Sequence, residues 1–244
     1  MHGKAQFFAL VPTRSFHSFR SALEAPRFLS ISVRKWDAFV RRCYACDLSD
    51  PSVLHLFAET GAYLRGHFRL TSGFHSGEYL QCAKVLAVPR YAERLGRELA
   101  AKLTGTIGNS PVHLVISPAM GGVIIGHEVA RALDVHALFT ERDSSSNEMV
   151  LRRGFELNPG ERAIVIEDVI TTGGSTREVV RVVQQAGGVV AAAGSIIDRS
   201  GGEADVGVPR VALETIKPVV YDPSDCPLCR AGQPVVKPGS RRTA

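Results

Sequence analysis

Residues 163–176 read AIVIEDVITTGGST, and they place two adjacent carboxylates, Glu167 and Asp168, directly behind an apolar run and ahead of a segment rich in hydroxyls and glycine. On physical grounds the second half is a phosphate cradle. Gly173 and Gly174 allow close backbone approach, a following helix N-terminus supplies unpaired N–H groups, and the hydroxyls of Thr171, Thr172, Ser175 and Thr176 add donors. A monophosphate is the natural guest, because neither a Lys-Ser/Thr P-loop nor a GxGxxG pattern is present. Carboxylates next to a bound phosphate would repel it unless something stands between them. A sugar does this: its diol donates to Glu167 and Asp168 while a phosphate on the far carbon enters the loop. The plain alternative is an acidic pair that is merely solvated at a strand end.

The elements that must position these groups are read from hydrophobic periodicity. Residues 112–118 (VHLVISP), 135–142 (VHALFTER), 162–168 (RAIVIED) and 188–199 (GVVAAAGSIIDR) are buried strands, and 123–133 (VIIGHEVARAL) and 176–187 (TREVVRVVQQAG) are helices. Such alternation predicts an α/β fold with a parallel sheet flanked by helices. Ligands of such sheets bind beyond the carboxyl ends of the strands, where SPAMGG, EDVITTGGST and DRSGG all fall. Upstream, Ser52 and Gly61 bracket a short helix in SVLHLFAETGAYL, and Pro89 opens an amphipathic helix through Leu103. Between them GHFRLTSGFHSGEYLQC predicts a β-hairpin or hood.

Hydrophobic residues at 45% and charged residues at 22% are the composition of an ordinary globular chain, here long enough at 244 residues for one full core. The net charge of +5 suggests nucleic acid until it is located: residues 1–42 carry +6 and the remainder −1. The body is therefore nearly neutral and no nucleic-acid partner is expected. No apolar stretch approaches the length of a membrane span, residues 189–197 being the nearest candidate, so a soluble protein is expected. Residues 1–50 form a basic, Arg- and Ser-rich extension that fits a transit peptide, a poorly ordered arm or translation from too early a start. Five cysteines, an odd number, argue for free thiols in a reducing, cytoplasmic setting. Cys43/Cys46 and Cys226/Cys229 form two CxxC pairs, but far more residues separate them than the usual 15–20 or so of a two-pair zinc site.

The AIVIEDVITTGGST segment resembles the ribose-phosphate signature of the type I phosphoribosyltransferases. From Val53 onward the chain resembles the orotate phosphoribosyltransferase family. The likeness includes FRLTSGFHSGEYLQCAK (the hood), SPAMGG (the pyrophosphate-side loop), FTER…LRRGF (flanking a mobile loop), IIDRSGG and the tail CPLCRAGQPVVKPGSR. It implies a type I phosphoribosyltransferase-like core at about 89–200, a hood at about 62–82 and a tail at 221–244. It further implies transfer of phosphoribose from phosphoribosyl pyrophosphate to orotate, with Mg²⁺ held mainly by pyrophosphate, in a homodimer. Glu167 and Asp168 would be catalytic, holding the ribose and favouring its cationic form. Residues Glu167, Asp168, Val169, Ile170, Thr171, Thr172, Gly173, Gly174, Ser175 and Thr176, with Arg142, would bind phosphoribosyl pyrophosphate. Thr171, Arg199 and Ser72 would bind orotate, a surface salt bridge being the alternative for Arg199. Lys84 is a further basic candidate near the site.

Two departures from the family pattern bear on turnover. Met120-Gly121 stands where a lysine is common, and the expected mobile loop, ERDSSSNEMV, holds Arg142 as its one basic residue. Arg142, Arg152 and Arg153 are the candidates to compensate. The competing functions are a purine-salvage phosphoribosyltransferase and a sensor that binds phosphoribosyl pyrophosphate without turning it over.

Overall fold

The computed structural model describes residues 51–70, 72–108 and 110–238. The basic extension, with Cys43 and Cys46, lies outside the described residues. The chain runs α1 (Val53–Glu59), β1 (Tyr63–Arg69), β2 (His75–Leu80), α2 (Cys82–Leu86), α3 (Pro89–Ile107), β3 (Leu114–Pro118), α4 (Gly121–Leu133), β4 (His136–Arg142) and β5 (Met149–Leu151). It continues through β6 (Arg162–Ile170), α5 (Gly174–Gln185), β7 (Val189–Asp198), β8 (Arg210–Thr215), β9 (Val220–Tyr221) and α6 (Pro227–Arg230). The expected α/β core is present: a six-stranded sheet of order β5-β4-β3-β6-β7-β8, parallel except for the β4–β5 hairpin. Its edge strand β8 extends the core past the boundary expected near residue 200.

From β3 the chain winds to β4 on one side, and from β6 it winds to β7 and β8 on the other. The β3/β6 boundary is therefore a topological switch point, where a crevice opens between the loops leaving the two strands. Apolar faces explain the flanking layers. One core packs Leu95, Leu99 and Leu103 of α3 with Ile125 and Val129 of α4 against Val115, Ile164 and Ile196. On the opposite face Val179, Val180 and Val183 of α5 cover Ile116, Val165 and Ala193.

A separate three-stranded antiparallel sheet, β1-β2-β9, is the hood. Its third strand lies at the start of the tail, so the hood expected at about 62–82 and the tail expected at 221–244 share one sheet. Among the described residues no helix is long and apolar enough to cross a membrane.

Helices α3 and α4 meet at Gly96, where an added Cβ would stand 2.5 Å from the Glu128 Cβ and 2.8 Å from its carbonyl carbon. Alanine in a helix interior gains about 0.5–1 kcal/mol over glycine, but overpacking against backbone costs about 1–3 kcal/mol, so the clash wins. Gly96→Ala is expected to lower the melting temperature by roughly 2–8 °C in a thermal scan.

Candidate active site

Strand β6 carries the acidic pair into the crevice as its final turns of pleat. Glu167 is only 9% exposed and Asp168 is half-buried, so the pair is not simply solvated. Burial first, and then the neighbouring Asp168 charge, push the Glu167 carboxyl well above the usual carboxylate range. Burial likewise raises Asp168, although its Oδ1 accepts the Val169 N–H at 2.9 Å. Across the crevice Gly121 opens α4, and a Cβ there would lie 2.6 Å from Asp168 Oδ1. Glycine therefore keeps this carboxylate reachable from the β3 side. The Ala119–Met120 peptide just before it is cis, and the Met120 side chain stands out into solvent.

The loop behind the pair has the geometry of an anion cradle. Gly173 adopts φ 74°, a left-handed conformation, and a Cβ would meet Val206 at 2.8 Å, so glycine is required twice over. Helix α5 has no side-chain cap, and its first bond is Arg177 N–H to the Gly173 carbonyl at 2.9 Å. The N–H groups of Gly174, Ser175 and Thr176 find no acceptor among the described residues, as an anion site needs. Arg177 buttresses the loop from outside by donating to the carbonyls of Thr172, at 2.8 Å, and Asp205. A cavity of about 220 Å³ lies over the loop, bordered by Glu167, Val169 and all of residues 170–176. Ile170 turns its side chain into the core and offers only backbone.

Beside this cradle lie two more cavities. One of about 490 Å³ is bordered by Asp168, Val169, Thr171, Arg199, Gly121 and Tyr79, and another of about 370 Å³ by Ser72, Tyr79, Thr171, Arg199 and Lys217. Thr171 is common to all three, so its hydroxyl stands where a phosphate side and a base side meet. Arg199 is held through its backbone, its N–H donating to Ile170 O at 2.8 Å. Its half-buried guanidinium makes no hydrogen bond or ion pair among the described residues, and burial lowers its pKa. Among the described residues the surface salt bridge is therefore not made. Asp198 next to it is committed to structure. Burial alone would raise its pKa, but hydrogen bonds from Ser200 (2.7 and 2.6 Å) and Arg210 (2.5 Å) hold it below the usual range.

Other expected residues are placed differently. Arg142 borders the phosphate-side cavity but is paired with Glu178 at 2.8 Å and donates to the Asn147 carbonyl at 2.7 Å, so its charge is largely spoken for. The segment expected as a mobile loop is the tip of the β4–β5 hairpin. Asp143 folds it by accepting from the Ser145 and Ser146 N–H groups at 2.9 and 3.0 Å. Arg153 is fixed by two bonds to Glu141, at 2.9 and 2.8 Å. Lys84 turns to the Gly61 carbonyl at 3.0 Å and does not border the crevice. Tyr79, Cys82 and Lys217 line the crevice and were not anticipated. The alternation of the hood strand was the one available signal for Tyr79.

Residues 87–227 match the phosphoribosyl transferase domain family. The chain is 55% identical over 190 residues to the orotate phosphoribosyltransferase of Pelotomaculum thermopropionicum, an alignment spanning 78% of this chain and 97% of that one. It is 52% identical over 194 residues to that of Heliobacterium modesticaldum, spanning 80% of this chain and all of the relative. The chain belongs to the orotate phosphoribosyltransferase family. A solved member from Aeropyrum pernix superposes with TM-score 0.56 at 25% identity, covering 68% of this chain and 94% of that one. An adenine phosphoribosyltransferase shares the fold with TM-score 0.51 at 14% identity, so the fold by itself does not separate this family from its purine relatives.

The buried acidic pair makes a stability prediction. A carboxyl whose folded pKa lies above its unfolded value near 4.3 contributes stability at low pH that is lost as pH rises through the folded value. Glu167→Gln removes that loss. In the ligand-free protein, the variant is expected to melt above wild type at pH 8, with the gap closing towards pH 5.

Proposed function

We propose that the protein transfers the 5-phosphoribosyl group of phosphoribosyl pyrophosphate to orotate, forming orotidine 5′-monophosphate and pyrophosphate. The observation that carries this reading is the half-buried Arg199 guanidinium, which has no partner among the described residues and shares its cavities with Thr171, the residue that also borders the cavity over the uncapped helix N-terminus. A flat carboxylated base and a ribose phosphate would satisfy both ends at once.

In the reaction the C1′–O bond breaks with its electron pair leaving on pyrophosphate, and the orotate ring nitrogen donates its pair to C1′ and releases its proton, which the departing pyrophosphate can accept. The ribose ring is cationic in between, as in glycoside transfer. Glu167 and Asp168 accept from the ribose hydroxyls; burial raises both carboxyl pKa values in the free protein, and the ring cation favours their ionised forms, whose charge in a low-dielectric crevice stabilises it in turn. Residues 172–176 hold the 5′-phosphate by backbone N–H groups and hydroxyls. Arg199 fixes the orotate carboxylate, with Thr171 and Ser72 beside the base. Holding both reactants on rigid strand ends supplies the orientation that the transfer needs.

Arg142 and Arg153 are occupied by glutamates, and the exposed Arg152 is the one of the three compensating candidates without an ion pair among the described residues, so they offer little positive charge to pyrophosphate. Mg²⁺ carried by the pyrophosphate would supply it, and the oxygen-only character of Glu167 and Asp168, with Asp168 left open by Gly121, suits that hard cation. The same shortage motivates a homodimer in which a second copy adds basic groups; sedimentation of a fully active monomer would count against it. A cytoplasmic setting keeps the thiols reduced.

Arg199→Ala is expected to raise KM for orotate roughly 10- to 100-fold, the loss of charged hydrogen bonds worth about 1.5–3 kcal/mol, while leaving KM for phosphoribosyl pyrophosphate nearly unchanged. Asp168→Asn is expected to lower kcat about 100-fold with a small change in either KM. A spectrophotometric orotate-consumption assay reads both. Wild-type protein that consumed adenine or hypoxanthine but not orotate would overturn the assignment, and protein that bound phosphoribosyl pyrophosphate without turnover would make it a sensor.

A further inference from the structure

One cluster of side chains outside the crevice has no part in phosphoribosyl transfer. His67 on β1 and His75 on β2 face the CPLC turn of the tail. His67 Nε2 lies 2.8 Å from His75 Nδ1. Cys226 Sγ is 3.6 Å from His67 Nε2, and Cys229 Sγ is 3.7 Å from the same atom and 3.3 Å from His75 Nδ1. All four atoms fall within 4.8 Å of one another. A tetrahedral zinc with Zn–N of about 2.0–2.1 Å and Zn–S of about 2.3 Å sets its ligand atoms roughly 3.3–3.8 Å apart, so only small shifts separate this cluster from a coordination shell.

The surroundings are those of a built site. His67, His75 and Cys226 are buried, and Cys229 forms the outer edge. His67 Nδ1 lies 2.8 Å from the Gln233 carbonyl, which can only accept, so Nδ1 carries the proton and Nε2 presents its lone pair inward. Two ring nitrogens at 2.8 Å then share one proton between them, and two thiols crowd the same point. A metal cation replacing these protons would satisfy all four groups together.

We infer that His67, His75, Cys226 and Cys229 form a structural zinc site. Two thiolates and two imidazoles in tetrahedral array select zinc, and four protein ligands leave no open position for catalysis. The CxxC pair at 226–229 is thus completed by two histidines of the hood, about 150 residues earlier in the chain, rather than by the other CxxC pair.

The site lies between two attachments of the tail to the hood. Tail strand β9 pairs with β2, with Ser76 opposite Val220. Further on, Val236 N–H donates to His67 O at 2.8 Å, and Arg69 N–H donates to Val236 O at 2.9 Å. The third strand of this sheet is only Val220–Tyr221, and without it a two-stranded hairpin is marginal, so a metal would fix the tail where so short a strand holds it weakly. Because Ser72, Tyr79 and Val220 of this unit line the base-side cavity, zinc would act on catalysis only through the hood's order.

The test uses full-length protein carrying Cys43→Ser and Cys46→Ser, purified without chelators or a metal-affinity tag. Elemental analysis is expected to find one zinc per chain. Exchange for cobalt(II) is expected to give the strong visible bands of a tetrahedral ion together with thiolate-to-cobalt charge transfer. Adding Cys229→Ser, at an exposed position, is expected to drop zinc to background, lower the melting temperature and raise KM for orotate more than KM for phosphoribosyl pyrophosphate. Zinc-free protein with Cys226 and Cys229 titrating as free thiols, or joined in a disulfide, would overturn the inference. So would zinc retained in full after Cys229→Ser and after His75→Ala. The cobalt spectrum needs no further variant, so it decides the matter even if Cys229→Ser folds poorly.

Discussion

Two adjacent carboxylates at the end of a parallel strand, Glu167 buried and Asp168 half-buried, are the constraint around which this molecule is arranged. A charge taken from water is costly unless it is paired, and among the described residues no cation reaches Glu167 or Asp168 as a salt-bridge partner. The neighbouring elements accommodate that cost rather than relieve it. Gly121 withholds a side chain that would cover Asp168, and the loop after Ile170 leaves the N–H groups of Gly174, Ser175 and Thr176 without an acceptor among the described residues.

Arg199 is the counterpart of the pair. It borders the same cavity as Asp168, it is half-buried, and it pairs with neither carboxylate. Two unsatisfied groups of opposite sign, held apart by strands β6 and β7, make a template for a ligand that is cationic in its middle and anionic at each end. The ribosyl transition state between a 5′-phosphate and a carboxylated base has that pattern. The arrangement favours binding over the stability of the free protein, as expected where binding energy is to be used in the reaction.

Much of this was legible in the sequence, for physical reasons. Buried parallel strands are continuous apolar runs, so β3, β6 and β7 stood out, and the glycines and hydroxyls after β6 marked the loop whose N–H groups find no acceptor among the described residues. The short pieces were not legible: β5 and β9 have three and two residues, too few for any periodicity. Charge was counted correctly but its availability was not. Arg142 is neutralised by Glu178, one turn into a helix 36 positions away, and Arg153 by Glu141 across a hairpin. Asp143 and its serines read as a loose loop and fold as a tight turn, because the carboxylate accepts from backbone N–H groups two and three residues on. Tyr79 and Lys217 reach the crevice only through tertiary packing of the hood against the core.

The central claim is that the buried pair faces a ribose, with phosphate to one side and a carboxylated base to the other. A crystal structure of the protein with orotidine 5′-monophosphate tests it directly. The account predicts ribose hydroxyls within hydrogen-bonding distance of Glu167 and Asp168, the phosphate on the N–H groups of residues 173–176, and the base carboxylate on the Arg199 guanidinium. A nucleotide bound in the reverse sense, with its phosphate on Arg199, or one that leaves both carboxylates untouched, would contradict it.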